Sequence, residues 1–150
     1  MREPYNVLFL PYRKTSCGVK YCIFLRRDLE IWQFIAWGGE NSETPVEAAK
    51  REAFEEAGLS QDNEYYKLTS STHIPVFYFS NVIRTAWGND VYVIPIYCYA
   101  TYVTNARVAI SYEHKDFRWV SYKQAVGLLH FDIDKTALWE LKSLLQYKGL

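Results

Sequence analysis

Apolar residues in the first third of the chain come in short runs. Val7-Leu8-Phe9-Leu10 is uninterrupted, Tyr21-Cys22-Ile23-Phe24-Leu25 leads into Arg26-Arg27, and Ile31 to Ala36 mixes aromatic and aliphatic residues around Gln33. Runs of this length and type predict three strands, with Thr15 to Lys20 as the turn between the first two. Trp37-Gly38-Gly39-Glu40-Asn41-Ser42 breaks the pattern, and its paired glycines predict a loop. The period then becomes helical. Val46, Ala49, Ala53 and Ala57 recur at three and four residues and define an apolar face. Thr44 suits the N-cap, Pro45 the first helical position, and Glu47 completes a capping box. Gly58 marks the stop. Because that face is mostly alanine, the helix can approach a sheet closely, which fixes the direction of its neighbouring glutamates.

Past Gly58 the pattern is mostly extended. Lys67 to His73 and Pro75 to Ser80 predict strands. Val91 to Val103 predicts a long one, in which Pro95 points to an edge position or a bulge. Phe117 to Val120 predicts a short late strand. Ser121 caps a helix through Leu129, with Tyr122, Ala125, Val126 and Leu129 apolar. Asp134 starts a last helix to about Gln146, with Ala137, Leu138, Leu141, Leu144 and Leu145 apolar. No repeat, low-complexity segment or linker interrupts residues 1–150. The order predicts one domain of the α/β (α+β) class, a mixed sheet with helices on both sides.

Composition narrows the possible functions. A formal net charge of 0 argues against a protein built mainly to coat nucleic acid. No apolar run approaches a membrane span, and the N-terminus lacks a basic-then-apolar signal pattern. The three cysteines, Cys17, Cys22 and Cys98, form no CxxC pair, so neither a disulfide framework nor a zinc knuckle is indicated. Cys22 and Cys98 lie in apolar runs and read as buried thiols, and a reducing cytoplasm is the expected compartment. Aromatic residues reach 17%, enough to fill the core and leave some to stack on a planar ligand.

The candidate chemistry lies in the second half of the capped helix. Glu52, Glu55 and Glu56 stand at i, i+3 and i+4 and share one stripe. Like charges so placed destabilise a helix by roughly 0.2–0.5 kcal/mol per pair. A solvated face is the bland explanation. The chemical one is a hard divalent cation, Mg²⁺ or Mn²⁺, held by carboxylate oxygens beside a phosphate-bearing substrate. The surrounding residues favour the second. Glu43, then seven residues, then Arg51-Glu52-Ala53-x-Glu55-Glu56-x-Gly58-Leu59 resembles the Nudix box, G-x5-E-x7-R-E-[apolar]-x-E-E-x-G-[apolar]. Eight of the nine defined positions match. The miss is the opening glycine, replaced by Trp37, with Gly38 and Gly39 following. A second segment, Ser111-Tyr112-Glu113-His114-Lys115-Asp116-Phe117-Arg118-Trp119-Val120, is similar to the E-H-x-x-[aromatic]-[R/K]-W-[L/V] stretch of certain Nudix enzymes. These include dihydroneopterin triphosphate (or dATP) pyrophosphohydrolases and asymmetric diadenosine polyphosphate hydrolases. Ile31-Trp32-Gln33, with Arg26-Arg27-Asp28 before it, favours the first group.

The resemblance implies an α/β/α sandwich around a mixed sheet, and Mg²⁺- or Mn²⁺-dependent hydrolysis of a P–O–P bond in a small nucleoside diphosphate-linked substrate. It implies metal ligation by Glu52 and Glu56, with Glu55 as ligand or base and Glu113 as further ligand or general base. Arg51 is expected to hold Glu55, and Glu43 to brace the helix start. Arg26 and Arg27 are candidate phosphate contacts. Trp37, Gly38 and Gly39 belong to the expected substrate loop, and Trp32, Phe34 and Phe77 are further stacking candidates. His114 is expected to contact phosphate or a backbone carbonyl. Rival readings are a diadenosine polyphosphate or nucleotide-sugar hydrolase and, in another class, a nucleotide-binding module without turnover. No nucleic-acid or membrane partner is expected, and the assembly is a monomer or homodimer.

Overall fold

The computed structural model describes residues 1–150. The first strand, β1 (Arg2–Thr15), is far longer than its apolar run, because pairing recruits the polar residues at both ends. Val7 to Tyr12 is buried without interruption. Alternation explains this. Val7 and Phe9 point to one face, and Leu8, Leu10 and Tyr12 point to the other. A strand buried on both faces needs a layer on each side.

Around β1 a seven-stranded mixed sheet forms. It turns at Thr15–Gly18 into antiparallel β2 (Gly18–Arg26). β2 also pairs antiparallel with β3 (Trp32–Gln33) and β7 (His114–Val120). β1 pairs antiparallel with β4 (Ile35–Glu40) and parallel with β6 (Val93–Tyr102), and β5 (Tyr65–Pro75) lies outside β6.

Helix α1 (Pro45–Ala57) covers one face. Ala48 and Ala49 pack with Val7 and Tyr99, and Ala53 and Ala57 with Phe9, Ile35 and Leu59. The other face carries α3 (Tyr122–Leu128) and α4 (Asp132–Tyr147), whose Ala125, Ala137, Leu138 and Leu141 meet Leu8, Leu10, Ile23 and Phe34. The expected α/β/α sandwich is thus observed. Cys22 and Cys98 are buried, as read, and Cys17 is exposed. No helix is long and apolar enough to cross a membrane.

Several local expectations are corrected. The loop expected from Trp37 to Ser42 is strand as far as Glu40, and the bend falls on Asn41 and Ser42, at φ 51° and 65°. Gly38 and Gly39 serve close approach rather than a turn. A Cβ on Gly38 would stand 1.7 Å from the Arg2 guanidinium carbon, and one on Gly39 2.1 Å from the Tyr5 hydroxyl. The strand expected over Pro75 to Ser80 is a 3-10 turn, Val76–Tyr78, and leads into an unforeseen helix α2 (Asn81–Trp87). Ser80 caps α2, and Trp87 Nε1 donates to the Arg2 carbonyl at 2.7 Å, a tertiary tie with no local signal. β6 is interior from Ile96 on, but Pro95 itself is paired with β5 alone, opposite His73, so the expected edge position holds there and the missing N–H costs no bond to β1. The irregularity lies in β5 between Lys67 and Ser71, where Glu140 of α4 accepts from the Thr69 and Ser70 amides at 2.7 and 2.8 Å. That carboxylate occupies N–H groups an edge strand would otherwise offer. Helix α4 starts at Asp132, two residues early, which buries Asp134 in its first turn where it accepts from the Phe34 amide at 3.3 Å.

Candidate active site

The helix signals act as read. Thr44 and Glu47 form the capping box, and Gly58 adopts the left-handed conformation at φ 67°. Between them Arg51 organises the acidic side chains. Its Nε and Nη2 grip Glu43 at 2.7 and 2.9 Å, and Nη1 reaches Glu52 at 2.6 Å and Glu55 at 3.0 Å. Nη2 also donates to the Gly38 carbonyl at 3.0 Å. All five guanidinium donors are therefore used. Glu43 accepts from the Glu40 amide at 2.9 Å as well, so it ties the bend after β4 to the helix. Arg51 holds the Glu43 carboxyl below its ordinary range.

Glu52 is the most buried member of the stripe. Its Oε1 faces Arg51, while Oε2 is buried without a partner. Burial pushes this carboxyl up to about 7 against the pull of Arg51, and the charges of Glu55 and Glu56 add to the rise. Glu55 projects toward solvent. Glu56 turns away from Arg51 and accepts from the Ser111 hydroxyl.

That contact begins the delivery of Glu113. A helix leaves its last carbonyls unpaired. Here the Ala109 amide donates to the Ala57 carbonyl at 3.0 Å, and the Ser111 amide to the Glu56 carbonyl at 3.1 Å. The segment docks on the end of α1 and enters β7 with Glu113 beside Glu56. Partial desolvation and the Glu56 charge raise the Glu113 carboxyl, while Arg26 opposes the rise. Arg26 itself is paired with Asp28 at 3.0 and 2.7 Å. The Arg27 amide donates to the Glu113 carbonyl at 3.0 Å, and its side chain to the Tyr112 carbonyl at 2.7 Å. His114 is 3% exposed, and neither ring nitrogen has a hydrogen-bond partner. Its expected backbone contact is absent. Its Nδ1 lies 3.9 Å from Glu56 Oε2, and its ring meets Phe24 edge-on. Burial drives its pKa down to about 4, so the ring is neutral.

The fold thus gathers Arg51, Glu52, Glu55, Glu56, Glu113, Arg26 and Arg27 around the C-terminal half of α1, with Gly38 attached through Arg51. Gly39 lies under Tyr5, and Trp37 is an ordinary, exposed strand residue opposite Val7. Trp32 and Phe34 go elsewhere. Both pack into the core on the α4 side of the sheet, and Arg118 covers the Trp32 ring at 4.8 Å. Phe77 is exposed beside Tyr78, in the turn before α2. Sequence reasoning missed Arg2 and Ser111. Arg2 stacks on Phe79 and Trp87 at 5.5 and 5.6 Å and feels the charges of Glu40 and Glu52. Only the pairing of Arg2 with Glu40 across β1 and β4 brings it there.

The acidic groups do not form a ready-made metal cage. Glu52 and Glu55 both turn to Arg51, and Glu56 turns to Ser111. The orphaned, buried Glu52 Oε2 nevertheless fits a hard cation, and the side chains of the stripe offer only carboxylate oxygens.

Sandwich and acidic helix together define the class: a hydrolase of phosphorus-containing anhydrides. The NUDIX domain profile matches residues 19–140, and the chain belongs to that family. A Listeria monocytogenes protein described as a NUDIX hydrolase is 40% identical, over 97% of each chain, with a TM-score of 0.86. The Escherichia coli dihydroneopterin triphosphate pyrophosphohydrolase is 17% identical, with a TM-score of 0.72 over 97% of this chain and 95% of its own. A Caenorhabditis elegans Ap4A hydrolase is 14% identical, with a TM-score of 0.73 over 99% and 100%. These last two likenesses concern the fold. No curated protein matches the chain.

Proposed function

We propose that this chain is a Mg²⁺- or Mn²⁺-dependent pyrophosphohydrolase. Its substrate is a nucleoside triphosphate-like small molecule, dihydroneopterin triphosphate or a dNTP. One observation carries the reading. A buried carboxylate with a free oxygen, Glu52, stands in a stripe with Glu55 and Glu56, and the segment docked on the helix end brings Glu113 to the same place. The substrate class is taken from the sequence resemblance around Trp32 and Glu113, since the fold is shared alike with the E. coli dihydroneopterin triphosphate enzyme and the C. elegans Ap4A hydrolase.

The residues divide the work by environment. Glu52 and Glu56 are the metal ligands in this reading, and Glu55 is ligand or base. Glu113, with its raised carboxyl, is a further ligand or the general base. A cation bound there supplies neutralisation of phosphate oxygens and acidification of water. Arg51 keeps the acidic side chains from spreading. Arg26 and Arg27 stand beside Glu113, within the region where a charged polyphosphate would lie, and Arg26 would exchange Asp28 for phosphate. The exposed Trp37 is the neighbouring wall in this reading, with Gly38 and Gly39 beneath Arg2 and Tyr5 as its support, while Trp32 takes no part. A binding module is the weaker reading, since the chain keeps Arg51 and all the box glutamates.

The test is turnover of a panel with Mg²⁺ and Mn²⁺, wild type beside Glu56→Gln. The panel holds dihydroneopterin triphosphate, dNTPs, diadenosine tetraphosphate, ADP-ribose and nucleotide sugars. Metal-dependent hydrolysis of a triphosphate that collapses in Glu56→Gln is the expected result. Preferred cleavage of diadenosine tetraphosphate or a nucleotide sugar would move the substrate to the rival hydrolase class. Nucleotide binding without turnover of any member would overturn the enzyme reading.

A further inference from the structure

We propose that Ser111 and His114 are positioning residues that aim the Glu56 carboxylate at the cation; this rests on the metal-dependent reading above. Two observations converge on one oxygen of Glu56, and a third concerns the other. The Ser111 hydroxyl donates to Glu56 Oε2, and the Ser111 amide is tied to the Glu56 carbonyl at 3.1 Å, so the hydroxyl cannot drift from its partner. His114 is 3% exposed and neither ring nitrogen has a partner. A buried polar group left without a partner is unfavourable. The carboxylate its Nδ1 faces is Glu56, with the same Oε2 at 3.9 Å. The third observation is what remains free: Glu56 Oε1 accepts from no side chain.

The Ser111 hydroxyl on Oε2, with His114 Nδ1 facing the same oxygen, restrains the carboxylate's rotation and leaves Oε1 without a side-chain partner. Outer partners of this kind set the orientation of a metal-binding carboxylate. The role requires the tautomer with its proton on Nδ1 and a ring movement that shortens the 3.9 Å separation to a hydrogen bond. Arg51 cannot do this for Glu56, because its five donors are spent on Glu43, Glu52, Glu55 and Gly38. The helix therefore has two holders: Arg51 for the first carboxylates and the β7 entry for the last. The competing role is structural. Ser111 would merely close the helix end, and His114 would merely fill space against Phe24.

Mn²⁺ affinity separates the two roles. Free Mn²⁺ is followed by electron paramagnetic resonance during titration of wild type, Ser111→Ala, His114→Leu, His114→Asn and Glu56→Gln, with thermal melts in the absence of metal. Removing an outer partner weakens binding about tenfold or more. Ser111→Ala and His114→Leu should each raise the Mn²⁺ Kd on the order of tenfold, with metal-free melting unchanged. His114→Asn places an amide nitrogen near the Nδ1 position and should restore most of the affinity. Wild-type Kd in both Ser111→Ala and His114→Leu, with Glu56→Gln impaired, would overturn the positioning role and leave the metal reading standing. Wild-type protein that binds no Mn²⁺ would overturn both. If His114→Leu fails to fold, Ser111→Ala decides alone.

Discussion

Replacing Arg51 with methionine removes the cation that faces three carboxylates, and their exposures rank the cost. The Glu55 side chain is 50% exposed, so that i,i+4 pair contributes only about 0.3–0.5 kcal/mol. The Glu43 side chain is 19% exposed and gripped at two oxygens, where charge-assisted bonds are worth about 1.5–3 kcal/mol before screening. The Glu52 side chain is 2% exposed, and stranding a buried charge costs about 3–5 kcal/mol. These terms do not add, because Glu52 escapes by taking a proton. Its carboxyl already stands at about 7 with Arg51 present, and losing Arg51 raises it further. Protonation caps the penalty, so the expected loss is about 3 kcal/mol at neutral pH, set by the Glu43 grip and part of the Glu52 term. The sign of the pH dependence follows. A carboxyl with a raised folded pKa contributes stability that is intact at low pH and lost as pH rises through that value. The deficit of Arg51→Met against wild type therefore widens from about pH 6 to about pH 8.5. Metal-free urea unfolding, read by tryptophan fluorescence at both pH values, measures it. Adding Glu52→Gln to Arg51→Met should remove the pH-dependent part. A loss below about 1 kcal/mol at both pH values, or a deficit that shrinks as pH rises, would refute the reasoning.

Two further outcomes follow from buried or unusual positions. Burial raises the Asp134 carboxyl to about 8, so its contribution is intact below about pH 4 and lost as pH rises through 8. Asp134→Asn should gain a few kcal/mol on wild type between about pH 5 and pH 9 in paired melts, and parallel curves would exclude a buried neutral acid. Trp37→Gly restores the family's glycine at an exposed strand residue that touches no candidate ligand. It should shift KM or substrate choice while Mn²⁺ affinity holds, and unchanged kinetics across the panel would remove Trp37 from the substrate wall.

Local signals carried the core of the site. Thr44, Pro45, Glu47 and Gly58 fix helix α1 from within the segment, so its glutamates could be placed without tertiary information. The buried runs of β1 and β2 were legible for the same reason. What failed depended on pairing. Gly38 and Gly39 read as a loop because glycines usually free the backbone. Here they make room for Arg2 and Tyr5, which approach from a strand more than thirty residues earlier. Pro95 read as an edge, which holds only at that residue: β5 pairs through it, while the ladder to β1 starts at Ile96 and makes the rest of β6 interior. Trp32 read as a stacking surface, and the isolated bridge to Leu129 turned it toward the core. Ser111 headed the second matching segment but was given no role, since a serine before an acidic loop is ordinary until the loop is docked.

The like-charged stripe on α1 raises a physical question that the site answers. Three glutamates at i, i+3 and i+4 should loosen the helix that carries them. Each is instead restrained by a different device. Burial and Arg51 hold Glu52, Arg51 across one helical turn holds Glu55, and Ser111 holds Glu56 from a neighbouring segment. Arg51 is itself anchored by Glu43 and the Gly38 carbonyl, at the opposite end of the helix from Ser111. The carboxylates thus stay aligned by contacts at both ends, and the repulsion between them is offset without being removed. A stripe kept under residual repulsion favours a cation more than one neutralised by fixed partners, because the cation relieves what the protein leaves unbalanced.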